Sequence, residues 1–134
     1  MRQITEKDLI AAIWGGAVLG GGGGADPKAG YELGKAALEE GQVLLASVDE
    51  LDPQDTVVTA SLVGSPKAGG MGPELSHYVE AFRLLEKVAD IKAKAINTNE
   101  CGGLATVNGW YQASRLGVPV VDAPCNGRAH PTGV

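Results

Sequence analysis

A run of five glycines at residues 20–24 constrains this chain more than any other feature. Seven of its 20 glycines fall between Gly15 and Gly24, so the glycine excess is local. Glycine loses more conformational freedom on folding than any other residue, which places such a run in a loop. The Asp26-Pro27 pair that follows is typical of a helix start, because Asp caps and Pro fits the first helical position. We therefore predict a helix over residues 6–14, a glycine loop, and a second helix over residues 28–40.

Beyond residue 41, short apolar segments alternate with helical patterns. They predict a third helix that starts at residue 73 or 74 and a fourth helix over residues 104–116. They also predict strands at residues 43–48, 56–63, 94–98 and 118–121. Helical crossovers between apolar strands imply a mainly parallel sheet. The predicted fold is therefore α/β: one three-layer domain over residues 1–134, with about four mainly parallel strands flanked by helices.

Composition excludes several classes of function. Eleven Lys+Arg against 16 Asp+Glu give a net charge of −5, whereas nucleic-acid-binding domains carry a basic face. No stretch approaches the roughly 20 apolar residues that span a bilayer, and the first residues lack the apolar core of a secretion signal. Two cysteines form no disulfide framework, as in a reducing compartment. We expect a cytoplasmic domain that binds a small molecule, and neither nucleic acid nor membrane.

The candidate site lies at the carboxyl ends of the predicted strands, where open α/β sheets bind ligands. Three loops leave those ends, at residues 64–72, 99–103 and 122–131. Two of them hold candidate catalytic carboxylates, Glu100 and Asp122, either of which could act as a general base. Glu100 could instead be only a favourable charge near a helix start, and Asp122 only a turn-forming residue.

Neighbouring groups in these loops could bind substrate. Backbone N–H groups at Gly102 and Gly103 could stabilise a developing anion. Asn126 and Arg128, two residues apart, are further candidates for substrate binding. Arg128 could hold a substrate carboxylate through its planar guanidinium, although a solitary surface arginine commonly has no such role.

A divalent metal such as zinc is an open possibility for the same loops. Cysteine, histidine and carboxylate side chains are suitable zinc ligands, but their spacing matches no known metal motif, and free buried thiols are the common alternative. The candidate ligands are Glu100, Cys101, Asp122, Cys125 and His130.

The glycine run could also bind an anion. Gly23, Gly24 and Asp26 precede a helix N-terminus, where unpaired N–H groups favour negative charge. No Lys-Ser or Lys-Thr follows, so the run is not a P-loop. Asp26 could itself occupy the helix end, which leaves a tight, closely packed connection as the structural alternative.

Short motifs in this order resemble a bacterial and archaeal family that includes the S-methyl-thiohydantoin desulfurases and occurs with hydantoinase and oxoprolinase proteins. The segment from Leu19 to Pro27 is similar to the family's opening "LGxGGGGDP". The other matching segments are Val48-Asp49-Glu50-Leu51, Val63-Gly64-Ser65-Pro66, Glu100 with Gly102-Gly103, Leu116-Gly117-Val118-Pro119-Val120-Val121-Asp122, Gly127-Arg128-Ala129 and Pro131.

The resemblance implies the N-terminal domain of a two-domain protein that hydrolyses a thiohydantoin, cyclic ureide or related cyclic amide. The matching positions implied for the site are Asp26, Glu100, Asp122 and Arg128. Family members continue past the position of Val134, so we expect a second domain, a partner subunit or a homo-oligomer such as a dimer. The open alternatives are a non-catalytic binding or structural domain that needs such a partner, and a phosphate-binding module built on the glycine loop.

Overall fold

A central β-sheet organises the domain in the computed structural model, which describes residues 1–64 and 72–131. Most of the predicted site loop at residues 64–72, including Ser65, lies outside the described residues. The strands are β1 (Arg2–Gln3), β2 (Leu44–Ala46), β3 (Val57–Ala60), β4 (Ala95–Thr98) and β5 (Val120–Val121). The helices are α1 (Glu6–Gly20), α2 (Pro27–Glu40), α3 (Leu75–Ala89) and α4 (Trp110–Leu116), with short 3-10 turns at Val48–Glu50 and Ala105–Val107.

The sheet has the order β1-β2-β5-β4-β3. β2, β5, β4 and β3 are parallel, and β1 pairs antiparallel with β2. The predicted α/β class with a mainly parallel sheet and flanking helices is confirmed. The sequence did not predict β1, which has only two residues and therefore shows no alternation.

One face of the sheet joins the main hydrophobic core. Val58, Ile96 and Val120 lie in register across β3, β4 and β5, and all three are buried. Leu9 of α1 and Phe82 of α3 are buried in the same cluster. α2 packs against both α1 and α4, and α3 packs against α4. The 3-10 turn at Ala105–Val107 contacts α1, α2 and β4, which positions β4 relative to these helices.

The first helix is longer than predicted. It starts as expected, with a capping box in which Thr5 and Asp8 bond each other's backbone N–H groups. It then continues through Gly15 and Gly16 to Gly20, six residues past the predicted end at Trp14. Gly16 and Gly20 lie where the helix packs closely against the backbone of Gly102, which leaves no room for a larger side chain.

The fourth helix is shorter than predicted. Gly109 has a φ of 109°, a conformation that interrupts a right-handed helix. The residues before it form the 3-10 turn, so α4 starts at Trp110 and not at residue 104. Within residues 1–64 and 72–131, no helix has both the length and the apolar character to cross a membrane.

Candidate functional site

The glycine run forms a close contact between two stretches of backbone. A Cβ added at Gly24 would lie 2.5 Å from the Cα of Gly102, and one added at Gly103 would lie 2.5 Å from the carbonyl oxygen of Ala25. The Gly24 carbonyl accepts hydrogen bonds from the N–H groups of Leu104 and Ala105, each at 2.9 Å. The α1–α2 connection therefore packs against the segment after β4 and is hydrogen-bonded to it.

Two groups proposed for substrate binding already make hydrogen bonds within the protein in this contact region. The Asp26 carboxylate caps α2 by accepting from the N–H groups of Lys28 and Ala29, at 3.3 and 3.4 Å. The Gly102 N–H donates to the Thr106 hydroxyl at 3.0 Å. Asp26 thus occupies the helix end, as the structural alternative from the sequence supposed.

The segment after β5 is bonded alongside the segment after β4. Asn126 N–H donates to the Asn99 carbonyl at 2.8 Å, and Cys101 N–H donates to the Gly127 carbonyl at 3.0 Å. Ala129 N–H in turn donates to the Cys101 carbonyl at 2.8 Å. Two of the three predicted site loops therefore lie side by side at the carboxyl edge of the sheet.

A polar cluster lies beside these loops. The Asn97 amide donates to the Ala123 carbonyl at 2.8 Å, and its nitrogen lies 3.4 Å from the Cys125 sulfur. The Thr59 hydroxyl lies 3.3 Å from the same sulfur. The Asn97 Oδ1 atom is buried and has no hydrogen-bond partner among the described residues. This unsatisfied acceptor could receive a donor from a ligand.

Thr59 was not selected from the sequence. It is exposed and lies in register with Asn97 across β3 and β4. The available signal was its position as a polar residue between the apolar Val58 and Ala60, which places it on the opposite face of the sheet.

The negative charges of both candidate catalytic carboxylates affect the pKa of the Cys101 thiol. Burial raises the pKa of Cys101, a hydrogen bond with Thr106 lowers it in part, and the negative charges of Asp122 and Glu100 raise it further. Glu100 is half-buried and Asp122 is exposed. Asp122 also lines an open cavity of about 400 Å³ at the carboxyl end of β2, together with Ser47 and Glu50.

The remaining predicted residues lie on the surface of the same region. Arg128 is exposed, and its guanidinium donates to the Ala129 carbonyl at 3.0 Å. The Asn126 side chain is 3.4 Å from the Asn99 side-chain oxygen. The cavity beside Asp122 is not lined by Asp26, Glu100 or Arg128. Asp26 lies in the connection that packs against Gly102 and Gly103 of the loop after β4.

The predicted metal ligands are not gathered into a binding set. Among the described residues, no group of three His, Cys, Asp or Glu side chains is close enough to hold a metal ion. The residue types suit zinc, but their placement does not provide the three or four ligands that a zinc site needs. The candidates Glu100, Cys101, Asp122, Cys125 and His130 are therefore considered below without a metal.

Known proteins place these features in a family. A comparison with curated proteins gives no match. The fold is similar to that of a structural-genomics crystal structure of a protein from Chromobacterium violaceum, with a TM-score of 0.67 and 23% identity. The match covers 92% of this chain and 35% of that chain, so this chain spans about a third of the solved protein's length. Residues 7–133 match the family described as S-Me-THD-like, N-terminal domain, and the chain therefore belongs to that family.

Proposed function

We propose that this domain supplies one wall of a hydrolytic site for a thiohydantoin, cyclic ureide or related cyclic amide. The site would lie at the carboxyl ends of β4 and β5. The observation that carries the proposal is that the segment after β4, which holds Glu100, is hydrogen-bonded along the segment after β5, which holds Asn126 and Arg128.

The amide side chains on this edge suit such a substrate. A cyclic ureide presents alternating carbonyl oxygens and ring N–H groups. Asn97 offers an acceptor without a partner among the described residues, and Asn99 and Asn126 offer further amide groups nearby. The Arg128 guanidinium has five N–H donors, and one of its nitrogens donates to the Ala129 carbonyl. Its other donors can bind a carboxylate on the substrate.

In the proposed reaction, water is the nucleophile and a carboxylate is the base. Glu100 or Asp122 removes a proton from water as its oxygen attacks the ring carbon. The C–S or C–N bond to the leaving group then breaks, and the proton passes to the departing thiol or amine. Glu100 is the better candidate for the base, because its partial burial shields it from bulk water more than the exposed Asp122.

The test compares carboxylate variants in the longest natural polypeptide that contains this sequence. A 5-substituted S-methyl-thiohydantoin is the substrate, and release of methanethiol is measured. Glu100→Gln should lower kcat by about 10²–10⁴, with the fold retained by circular dichroism. Glu32→Gln, at an exposed carboxylate on α2, is the matched control and should turn over normally. Unchanged turnover in both Glu100→Gln and Asp122→Asn would reject the proposal.

A binding or structural role is the second candidate. It is favoured by the length comparison, since the chain spans 35% of the solved protein that it resembles. In that case the chemistry belongs to another domain or subunit, and this domain positions the substrate. Substrate binding that weakens in Arg128→Ala while Glu100→Gln keeps full turnover would support this candidate.

A further inference from the structure

A second cavity lies between β3, α3 and the start of α4, at the β3 end of the carboxyl edge. Its volume is about 320 Å³, which is within the range of small-molecule sites. Among the described residues, neither an acidic residue nor a lysine or arginine lines it. Its lining is mainly apolar and includes Val58, Ala60, Leu62, Phe82, Leu85 and Ile96.

The buried polar residues of this cavity are two amides, whereas Thr59, Ser61 and His77 line it from exposed positions. Gln112 is only 6% exposed and Asn108 only 3%. The Gln112 Oε1 atom is buried and has no hydrogen-bond partner in the part of the chain that the structure describes. Native proteins pair nearly all buried polar atoms, so an unpaired acceptor beside a cavity indicates a missing donor.

We propose that this cavity binds a small, uncharged, mainly apolar molecule that donates one N–H or O–H hydrogen bond to Gln112. The terminal torsion of a glutamine side chain has broad minima, so a small rotation of the amide can present Oε1 to the cavity.

The environment favours an uncharged ligand for two reasons. Among the described lining residues, the exposed His77 is the one acidic or basic side chain, so a charged ligand would lose its hydration without gaining a buried ion pair from them. Tyr78, which also lines the cavity, is half-buried and burial raises the pKa of its phenol, so this wall stays neutral at physiological pH. Glu100, Asp122 and Arg128 do not line the cavity, and among the described residues it shares Thr59 with the polar cluster of the candidate site.

The test uses two probes of nearly equal shape. Indole carries one N–H donor, and benzofuran has oxygen in its place. Each is titrated into the ¹⁵N-labelled protein, and chemical-shift changes give the site and the Kd. Indole should bind about threefold to tenfold more tightly than benzofuran, with the largest changes around Tyr78, Phe82 and Gln112.

Three variants assign the effect. Gln112→Leu removes the acceptor and should bring the ratio of the two Kd values to about one. Gln42→Leu, at an exposed glutamine, is the matched control and should keep the wild-type ratio. Ala81→Phe fills the cavity from an exposed position on α3 and should weaken both probes by about tenfold or more, which tests the site even if Gln112→Leu fails to fold.

Several results would overturn the proposal. Chemical-shift changes centred outside the cavity would do so, as would equal Kd values for the two probes in the wild type. A preference for indole that survives Gln112→Leu, or binding that is unaffected by Ala81→Phe, would also contradict it.

Discussion

Two adjacent glycines in α1 have opposite surroundings, and alanine at each should therefore change stability in opposite directions. Gly15 is exposed, and a Cβ added there would meet nothing within 4 Å. Gly16 is buried, and a Cβ there would lie 2.1 Å from the Thr106 hydroxyl oxygen and 2.3 Å from the Gly102 carbonyl oxygen. The pair separates helix propensity from packing, because both substitutions are made in the same helix.

The magnitudes follow from these contacts. Alanine in a helix interior is favoured over glycine by about 1 kcal/mol, which Gly15→Ala should gain. At Gly16 the same gain is opposed by overpacking, which costs about 1–3 kcal/mol. The upper half of that range applies, because the Thr106 hydroxyl is held by bonds to the N–H and carbonyl of Gly102. We expect Gly16→Ala to be destabilised by about 1–2 kcal/mol, a difference of about 2–3 kcal/mol between the variants.

Urea unfolding followed by far-UV circular dichroism measures this difference. The dependence of the unfolding free energy on urea should be the same for both variants, so that their midpoints can be compared directly. If Gly16→Ala were as stable as Gly15→Ala, the close contact between α1 and Gly102 would be refuted as the reason for the glycine.

Other predictions concern a helix cap, a carboxylate and the two thiols. Asp26→Ala should lower the free energy of unfolding by about 0.5–2 kcal/mol in urea, and an unchanged midpoint would contradict the capping role. Hydrogen bonds from Thr5 lower the pKa of Asp8 from 3.8 to about 2. The stability that ionised Asp8 contributes is therefore fully present above pH 3.8, its pKa in the unfolded chain, and is lost as the pH falls toward 2. Stability measured over that interval should fall less steeply in Asp8→Asn than in wild type, and equal slopes would contradict the linkage. At neutral pH, exposed Cys125 should react with a thiol-specific disulfide reagent faster than Cys101, whose pKa is raised by burial. The fast phase should persist in Cys101→Ser and disappear in Cys125→Ser, and the reverse pattern would show that the two environments are misassigned.

Local signals in the sequence predicted the starts of α1 and α2 and the end of α4 to within one residue. The capping box of Thr5 with Asp8 and the cap by Asp26 involve residues at most three apart, so their chemistry is readable without the fold. Gly117 likewise ends α4, in a left-handed conformation that glycine adopts readily. The alternation of apolar strands with helices predicted the mainly parallel sheet, because helical crossovers connect parallel strands.

The errors arose where distant contacts decide the structure. α1 continues past Trp14 because Gly16 and Gly20 allow it to approach Gly102, a contact that no short window of sequence contains. Helix propensity alone ends the helix at the first glycines, and tertiary packing overrides it. For the glycine run, the sequence left both a ligand loop and a closely packed connection open, and Gly24 packs closely against Gly102.

The site was predictable in outline only. Parallel strands place their carboxyl ends at one edge, which correctly suggested that the loops holding Asn99 and Asn126 would meet. The packing of the residues around Asp26 against Gly103 depends on the path of the α1–α2 connection, which the sequence does not specify. Gln112 was missed because a glutamine in a short helix is ordinarily exposed, and its burial follows from the packing of α4 against α2 and α3.

The most direct test of the proposed carboxyl-edge site is a titration of the ¹⁵N-labelled protein with an S-methyl-thiohydantoin. Our account predicts that the largest chemical-shift changes fall on Asn97, Glu100 and Asn126. Changes concentrated instead at residues 20–30, around the glycine run and the start of α2, would contradict it.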